Sequence, residues 1–365
     1  MRIERFSGWL IAAAAMALVA CGGAPSASNS PTPAADVGSG QLQGAGATFP
    51  GPYYTKAFYA YNQHFSQVSV NYQAIGSGGG IQAFTKNTVD FGASDVPMTA
   101  TEVAAAGGDA TLVQLPTIIG VVAIAYNLPN VDNLKLDGPT LANIYMGTIK
   151  KWNDPAITAL NSGTNLPSTD ISVVHRADSS GTSYAFTDYL SKVSPDWKTK
   201  VGTNKAPAWP AGIGGNQNAG VGQAVKTTEG AIGYVELAYV IQSQLQYASL
   251  KNASGKFLKA SLDGATAAAG TVSGVSPTNF SITNASGDKA YPIVSYSWVM
   301  IRKDQTDATK GKAVVNLFKW VVQTGYNDPL VNGKSLEYAA LPSETQNFAL
   351  TQLKSITSGG KPILS

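Results

Sequence analysis

A long apolar run in the middle of the chain most constrains the fold. Residues 112–126 read Leu-Val-Gln-Leu-Pro-Thr-Ile-Ile-Gly-Val-Val-Ala-Ile-Ala-Tyr. Near-continuous apolar character is typical of a strand that is covered on both faces, and about fifteen residues is long for a single strand. We therefore predict a buried strand of an α/β protein, long enough to cross from one domain to another.

The rest of the body alternates between strand-like and helical patterns, which favours the α/β class. At 365 residues with 44% hydrophobic content, the chain is long enough for two domains that each have a core. Strand patterns occur at 68–75, 170–177, 231–240 and 293–301, and the second half of the 231–240 run is also compatible with a helix. Helical patterns occur at about 80–86, 184–190 and 310–324.

The N-terminus has the pattern of a targeting segment. Arg2 and Arg5 precede an apolar stretch that is too short for a comfortable membrane span. The protein's single cysteine, Cys21, follows Leu-Val-Ala, which resembles the lipobox of bacterial lipoproteins, where this cysteine is acylated. The alternative is an ordinary signal peptide with an incidental cysteine. We predict a lipoprotein signal peptide at 1–20, then a lipidated Cys21 and a flexible tether over 21–41, which would anchor an extracytoplasmic body to the cell membrane.

The charge and the histidines exclude several classes of function. Only 13% of residues are charged and the net charge is +3, without any Lys/Arg block, which disfavours nucleic-acid binding. His64 and His175 are the only histidines, and neither has a second ligand at metal spacing. The sequence therefore predicts no metal and no cofactor.

Three segments place Gly and hydroxyl residues just before a predicted helix. They are Gly-Ala-Gly-Ala-Thr-Phe-Pro at 44–50, Gly-Ser-Gly-Gly-Gly at 76–80 and Asp-Ser-Ser-Gly-Thr-Ser at 178–183. Helix N-termini present unpaired N–H groups and a partial positive charge, so they attract anions. One such loop alone is more often a simple helix cap. Three that converge would surround a small tetrahedral anion.

Two charged residues make the anion hypothesis more specific. Arg176 lies two residues before Asp178, whose carboxylate could orient the guanidinium towards the third loop. Asp95 ends the small-residue turn that follows Val-Asp-Phe at 89–91. A carboxylate helps an anion site only if the ligand carries a proton, as phosphate does near neutral pH and sulfate does not. Asp95 would then discriminate between the two anions.

The same segments resemble a known family. The loops at 44–50, 75–80 and 176–183, together with Asn-Thr-Val-Asp-Phe-Gly-Ala-Ser-Asp at 87–95 and Gly-Ala-Ile-Gly-Tyr-Val-Glu at 230–236, are similar to the phosphate receptors of ABC transporters. The resemblance implies a type II periplasmic-binding-protein fold, in which two α/β lobes are joined by two hinge strands and close on the ligand. It also implies a monomer whose partners are inorganic phosphate, the permease subunits and, through Cys21, the membrane.

The resemblance further implies domain boundaries and binding residues. Lobe I would comprise 42–118 and 292–365, and lobe II 119–291, with crossings near 116–121 and 289–294. Asp178 would restrain Arg176, and Phe49 would act through its backbone N–H. The implied phosphate ligands are Thr48, Phe49, Ser77, Asp95, Arg176, Ser180, Gly181 and Thr182.

Two positions depart from the family pattern, and both affect hydroxyl groups. Gly78 stands where the family often has serine, and Ser179 stands where glycine is common. Each difference could remove or add a hydroxyl near the anion.

Three alternatives remain open from the sequence. The first is a phosphatase or a serine hydrolase that uses Ser180, although the chain has neither a Gly-x-Ser-x-Gly elbow nor a P-loop ending in Lys-Ser. The second is a receptor for another oxyanion, such as sulfate, molybdate or a phosphonate. The third is a structural surface lipoprotein.

Overall fold

The computed structural model describes residues 36–364. Helices and strands alternate along this part of the chain, as the sequence predicts. The strands are β1 (Gly40–Gly46), β2 (Val68–Ala74), β3 (Phe91–Ser94), β4 (Leu112–Tyr126), β5 (Lys135–Leu136), β6 (Ser172–Arg176), β7 (Ile213–Gly215), β8 (Ala231–Glu236), β9 (Gln246–Tyr247), β10 (Ser249–Lys251), β11 (Phe257–Leu258), β12 (Val294–Arg302), β13 (Thr357–Ser358) and β14 (Lys361–Pro362).

The helices pack around these strands, and each of the three predicted helical patterns overlaps one of them. Short 3-10 turns occur at Asp109–Thr111, Gly325–Asn327 and Gly333–Leu336. The α-helices are α1 (Gly51–His64), α2 (Ser77–Thr85), α3 (Ala100–Ala105), α4 (Gly138–Tyr145), α5 (Pro155–Leu160), α6 (Gly181–Val193), α7 (Pro195–Lys200), α8 (Gln217–Thr227), α9 (Leu237–Gln242), α10 (Leu262–Ala269), α11 (Ala308–Gln323) and α12 (Ser343–Lys354).

The largest sheet runs in the order β2-β1-β3-β12-β4-β8-β6-β7, and β9 also pairs with β4. β1, β2 and β3 pair in parallel, as do β6, β7 and β8, while β12 and β4 run antiparallel to their neighbours. Parallel pairing requires crossover connections, which the intervening helices provide. The result is a mixed α/β architecture, which confirms the predicted class.

Strand β4 explains the long apolar run. All of its residues are buried, its first part pairs with β12 up to Val121, and its last part pairs with β8 from Val122 onward. One continuous strand therefore belongs to both halves of the sheet, and this double pairing accounts for its length. Because each half is covered by other elements, the strand carries no polar alternation.

One predicted element bound needs correction. The sequence predicts a helix that starts near Gly80 after the second Gly-rich segment, but α2 already starts at Ser77. The 231–240 run turns helical midway, as its second half allows: strand β8 ends at Glu236, whose side chain caps α9 by accepting a hydrogen bond from the N–H of Ala238. Within residues 36–364, no helix combines the length and the apolar content of a bilayer-spanning segment.

Candidate anion-binding site

The three Gly/Ser/Thr-rich segments meet at one place in the fold. The first joins β1 to α1, the second enters α2, and the third joins β6 to α6. The N–H of Gly181 donates to Oγ of Ser77 over 3.0 Å, and the N–H of Gly78 donates to the carbonyl of Ser179 over 3.0 Å. Segments about a hundred residues apart in sequence therefore contact each other at the N-termini of their helices.

Arg176 ends strand β6 and is held by the carboxylate two residues later. Its Nε and Nη2 donate to the two carboxylate oxygens of Asp178 over 2.7 and 2.5 Å, and Nη1 donates to Oγ1 of Thr182 over 3.2 Å. Burial tends to raise the pKa of Asp178, but the hydrogen bonds and the charge of Arg176 outweigh burial and hold that pKa below its usual value. The guanidinium is thus fixed in one orientation beside the third loop, at 1% exposure of its side chain.

Asp95 follows strand β3 and is almost completely buried, at 2% exposure. The hydroxyl of Ser297 donates to its Oδ1 over 2.9 Å, and the hydroxyl of Ser77 lies 3.4 Å from its Oδ2. Burial raises the pKa of Asp95 to about 7, against the opposing effects of the Ser297 hydrogen bond, the Arg176 charge and the Ser77 hydrogen bond. The group therefore titrates near neutral pH.

Thr48 and Phe49 lie in the turn between β1 and α1, and their carbonyl groups are both bound by tyrosine hydroxyls. Tyr239 donates to the carbonyl of Thr48 over 2.7 Å, and Tyr338 donates to that of Phe49 over 2.5 Å. Because these tyrosines come from distant parts of the chain, the turn is held from two sides. The backbone around Phe49 is accordingly fixed next to the other loops.

The third loop is arranged by its own cap and by close packing. Ser180 is the N-cap of α6, and its Oγ accepts from the N–H of Ser183 over 3.2 Å. A Cβ added to Gly181 would lie 2.4 Å from Cβ of Asp95, which is too close for any side chain. Glycine is therefore required where this helix approaches the carboxyl group.

The structure brings the sequence-predicted residues together in one buried cluster. Each of the eight predicted ligands is at most 2% exposed or, for Gly181, lies buried in the first turn of α6, whereas the side chain of the supporting Asp178 is 20% exposed. Helix N-termini supply hydrogen-bond donors here, Arg176 supplies a positive charge, and Asp95 supplies an acceptor. Such a set can enclose a small anion that retains one proton. Cys21 lies outside the described residues.

Sequence reasoning missed two polar residues that contact this cluster. Ser297 is fully buried in the apolar strand β12. The signal available in the sequence was a hydroxyl residue among large apolar residues. Asn218 lies in the first turn of α8, and its Nδ2 donates to Oγ1 of Thr48 over 2.9 Å. It follows a further Gly-Gly-Asn-Gln run at 214–217, which resembles the three recognised loops in its position before a helix.

Comparisons with known proteins agree with this geometry. The pattern of the PBP superfamily domain matches residues 31–321. The phosphate-binding protein PstS of Xylella fastidiosa (strain 9a5c) is 42% identical over 319 residues, which cover 86% of this chain and 85% of the relative. The PstS of Pasteurella multocida (strain Pm70) is 44% identical over 307 residues, which cover 83% of this chain and 87% of the relative.

A solved structure shows the same fold. The phosphate-binding protein of Stenotrophomonas maltophilia superimposes with a TM-score of 0.65 at 21% identity, covering 86% of this chain and 94% of that one. The fold is that of type II periplasmic binding proteins, whose two α/β lobes are joined by hinge strands. Because the two PstS relatives are more than 40% identical to this chain over most of its length, the chain belongs to the PstS family of phosphate-binding proteins.

Proposed function

We propose that the chain binds inorganic phosphate outside the cytoplasm and delivers it to the permease subunits of an ABC transporter. The observation that carries this proposal is that the guanidinium of Arg176 and the carboxyl group of Asp95, which titrates near neutral pH, are buried in the same cluster of helix N-termini. Arg176 attracts an anion, whereas Asp95 repels an anion unless a proton lies between its carboxyl group and the anion. The names of the PstS relatives support the same ligand.

The carboxyl group of Asp95 would select the anion by its proton. Monohydrogen phosphate can donate a hydrogen bond to the carboxylate, whereas sulfate would place two acceptors against each other in a desolvated site. Sites built around a ligand donor reject analogues that lack it by on the order of 10⁴-fold. Another tetrahedral oxyanion without a proton would therefore bind poorly. A receptor for such an anion is the main competing function.

We assign the binding roles on the basis of the cluster. The backbone N–H of Phe49 would donate to the anion from the first loop, and Asp178 would hold Arg176 in place. The proposed ligands are Thr48, Phe49, Ser77, Asp95, Arg176, Ser180, Gly181 and Thr182. In the proposed two-lobe division, residues 42–118 and 292–365 form lobe I and residues 119–291 form lobe II.

We propose binding without chemical turnover. The hydroxyl of Ser180 caps α6, which is a structural use of the group that an enzyme would need as a nucleophile. His175 directs its Nδ1 to the carbonyl of Arg176 over 3.0 Å and stacks on Trp209 with a ring-centre distance of 4.9 Å. The histidine next in sequence to the site is therefore engaged elsewhere and is not paired with Ser180 as a base.

The proposal also includes the anchor and the location. The predicted signal peptide at 1–20, the acylated Cys21 and the tether over 21–41 would place a monomeric binding body at the outer surface of the cell membrane, where it samples the surrounding solution. Metabolic labelling with a fatty-acid probe tests the anchor. Cys21→Ser should lose the label and leave the membrane fraction, and a labelled variant would refute acylation at this residue.

Calorimetric titration tests the ligand. The purified protein should bind phosphate and fail to bind sulfate at about pH 8. Asp95→Asn should weaken phosphate binding and reduce the preference over sulfate, since the introduced amide can donate to an unprotonated oxyanion. Asp196→Asn, the same change at a side chain that is 70% exposed on α7, is the matched control. Tight sulfate binding by the wild-type protein, or an unchanged preference in Asp95→Asn, would refute the proton-based selection.

A further inference from the structure

A hydrogen-bond chain that starts at the backbone of strand β8 ends on two hydroxyl groups of the anion cluster. The N–H of Glu236 donates to Oδ1 of Asn218 over 3.0 Å. Since a backbone N–H can only donate, it must face the oxygen of the amide and not the nitrogen. The orientation of the Asn218 amide is therefore determined by its partner, and its NH₂ group must point away from β8.

That NH₂ group contacts a threonine from each of two loops. Nδ2 of Asn218 lies 2.9 Å from Oγ1 of Thr48 and 3.3 Å from Oγ1 of Thr182. Asn218 itself is 0% exposed. One buried amide thus joins the first and the third anion loops, which lie more than a hundred residues apart in sequence.

The direction of these hydrogen bonds restricts what the hydroxyls can do. A hydroxyl group has one proton to donate and two lone pairs. Oγ1 of Thr182 accepts from Asn218 and from Nη1 of Arg176, so both of its lone pairs are engaged and its proton must point elsewhere. Oγ1 of Thr48 also accepts from a group that can only donate. Both hydroxyl protons are left available to the anion.

The turn that presents Asn218 is conformationally unusual. Gln217, the residue before it, has a φ of 61°, which lies in the left-handed region that non-glycine residues rarely adopt. In this conformation the N–H of Gln217 donates to Oδ1 of Asp178 over 3.0 Å. The first turn of α8 is therefore attached both to the carboxylate that holds Arg176 and to the two threonines.

We propose that Asn218 is a positioning residue that, together with Arg176, forces Thr182 to act as a hydrogen-bond donor and occupies one of the two lone pairs of Thr48, and that it thereby favours the phosphate form that carries a single proton. The inference rests on the proposed phosphate function and adds a residue to it. A second proton on the anion would need a second acceptor beside Asp95. Oγ1 of Thr182 cannot accept it while Asn218 and Arg176 occupy both of its lone pairs. Asn218 also occupies one of the two lone pairs of Thr48.

Asn218→Ala removes the constraint without adding a charge. At about pH 8.5, where phosphate carries one proton, we expect affinity to fall roughly 10- to 100-fold, as for the loss of hydrogen bonds that order buried groups. At about pH 5.5, where most phosphate carries two protons, the freed hydroxyls can rotate and accept, so the loss should be several-fold smaller. The ratio of the two losses is the readout, because a merely structural role would lower affinity equally at both pH values.

Asn218→Asp tests the direction of the hydrogen bonds. The introduced carboxylate accepts where the amide donates, so both threonine protons should turn towards it and leave lone pairs facing the anion. We expect a loss of more than about 100-fold at pH 8.5, with recovery at low pH as the new carboxyl group gains a proton. Asn347→Ala and Asn347→Asp, at an exposed position on α12, are the matched controls.

The background titration is shared by the proteins that are compared. Arg176, Asp178 and Glu236 are the charged or titratable residues linked to Asn218 by these contacts, Asp95 acts on Glu236 through its charge, and all of them remain in the variants. Thermal unfolding establishes that each variant folds, and the alanine variant carries the test if the aspartate variant does not. Equal losses at both pH values, or no loss, would overturn the role of Asn218 alone. Wild-type protein that binds no phosphate would overturn the proposed function and this inference together.

Discussion

Replacing the buried carboxyl group of Asp95 by an amide should stabilise the phosphate-free protein at high pH. The pKa of this group is raised from 3.8 to about 7 in the folded state, chiefly by burial. A carboxyl group whose folded pKa is raised favours folding fully at a pH below its unfolded pKa, and this contribution is lost as the pH rises through the folded value. Wild-type protein therefore loses stability between about pH 4 and pH 7 through this residue.

The size of the loss follows from the shift. About three pH units at 1.36 kcal/mol each correspond to roughly 4 kcal/mol. Asp95→Asn cannot ionise and keeps an oxygen that can accept from Ser297, so it should avoid this loss. The free energy of unfolding of the variant, relative to wild type, should rise by about 4 kcal/mol between pH 4 and pH 9.

Urea unfolding at a series of pH values measures this difference. Both proteins must first be freed of phosphate by unfolding and refolding, because a bound ligand adds its own stabilisation. Glu236, a second buried carboxyl group whose pKa is raised well above its usual value by burial, is present in both proteins, so its burial cancels in the comparison and only the lesser effect of the Asp95 charge on it is lost in the variant. Asp196→Asn controls for the loss of a surface charge. If the stability difference between Asp95→Asn and wild type were the same at both ends of the pH range, burial would not be raising the pKa of Asp95.

Two further predictions concern contacts between distant segments around the cluster. Lys205 forms an ion pair with Glu102 of α3, and its backbone carbonyl accepts a hydrogen bond from the third loop. Because a partly exposed ion pair contributes about 1 kcal/mol, Lys205→Met should speed phosphate release about fivefold in stopped-flow fluorescence. An unchanged release rate would show that the pair does not hold the site closed. A Cβ added to Gly78 would lie 2.4 Å from Cβ of Ser179, so Gly78→Ser should weaken phosphate binding in calorimetry. The double variant Gly78→Ser with Ser179→Gly should restore the affinity. A double variant that binds as weakly as Gly78→Ser would contradict a steric cause.

The sequence predicts the fold best where burial leaves a continuous signal. Strand β4 could be placed at 112–126 because covered strands are apolar throughout, and the structure has the same bounds. Strands β9 to β11 contain only two or three residues each, too few to show any alternation. The division of the 231–240 run at Glu236 depends on a side chain that caps a helix, which apolar periodicity does not reveal.

For the site, the sequence identifies the residues that a local pattern marks. Gly and hydroxyl residues before helices are visible in the chain, and so is the spacing of Arg176 and Asp178. Ser297 and Asn218 were missed because their roles depend on partners 202 and 170 residues away, Asp95 and Thr48. The local sequence does not indicate which distant group a polar side chain will contact in the fold.

The two acidic residues of the cluster have separate roles because only one of them holds the arginine. Asp178 takes Nε and Nη2 of Arg176 with its two carboxylate oxygens, so it remains ionised. Burial raises the pKa of Asp95 towards neutrality, because the hydrogen bonds of Ser297 and Ser77 and the more distant charge of Arg176 oppose it only in part and Asp178 adds repulsion. If Asp95 paired with Arg176 directly, its pKa would fall, and Asp95 would not hold a proton near neutral pH. The pairing of Arg176 with Asp178 therefore leaves Asp95 free to share a proton with a ligand.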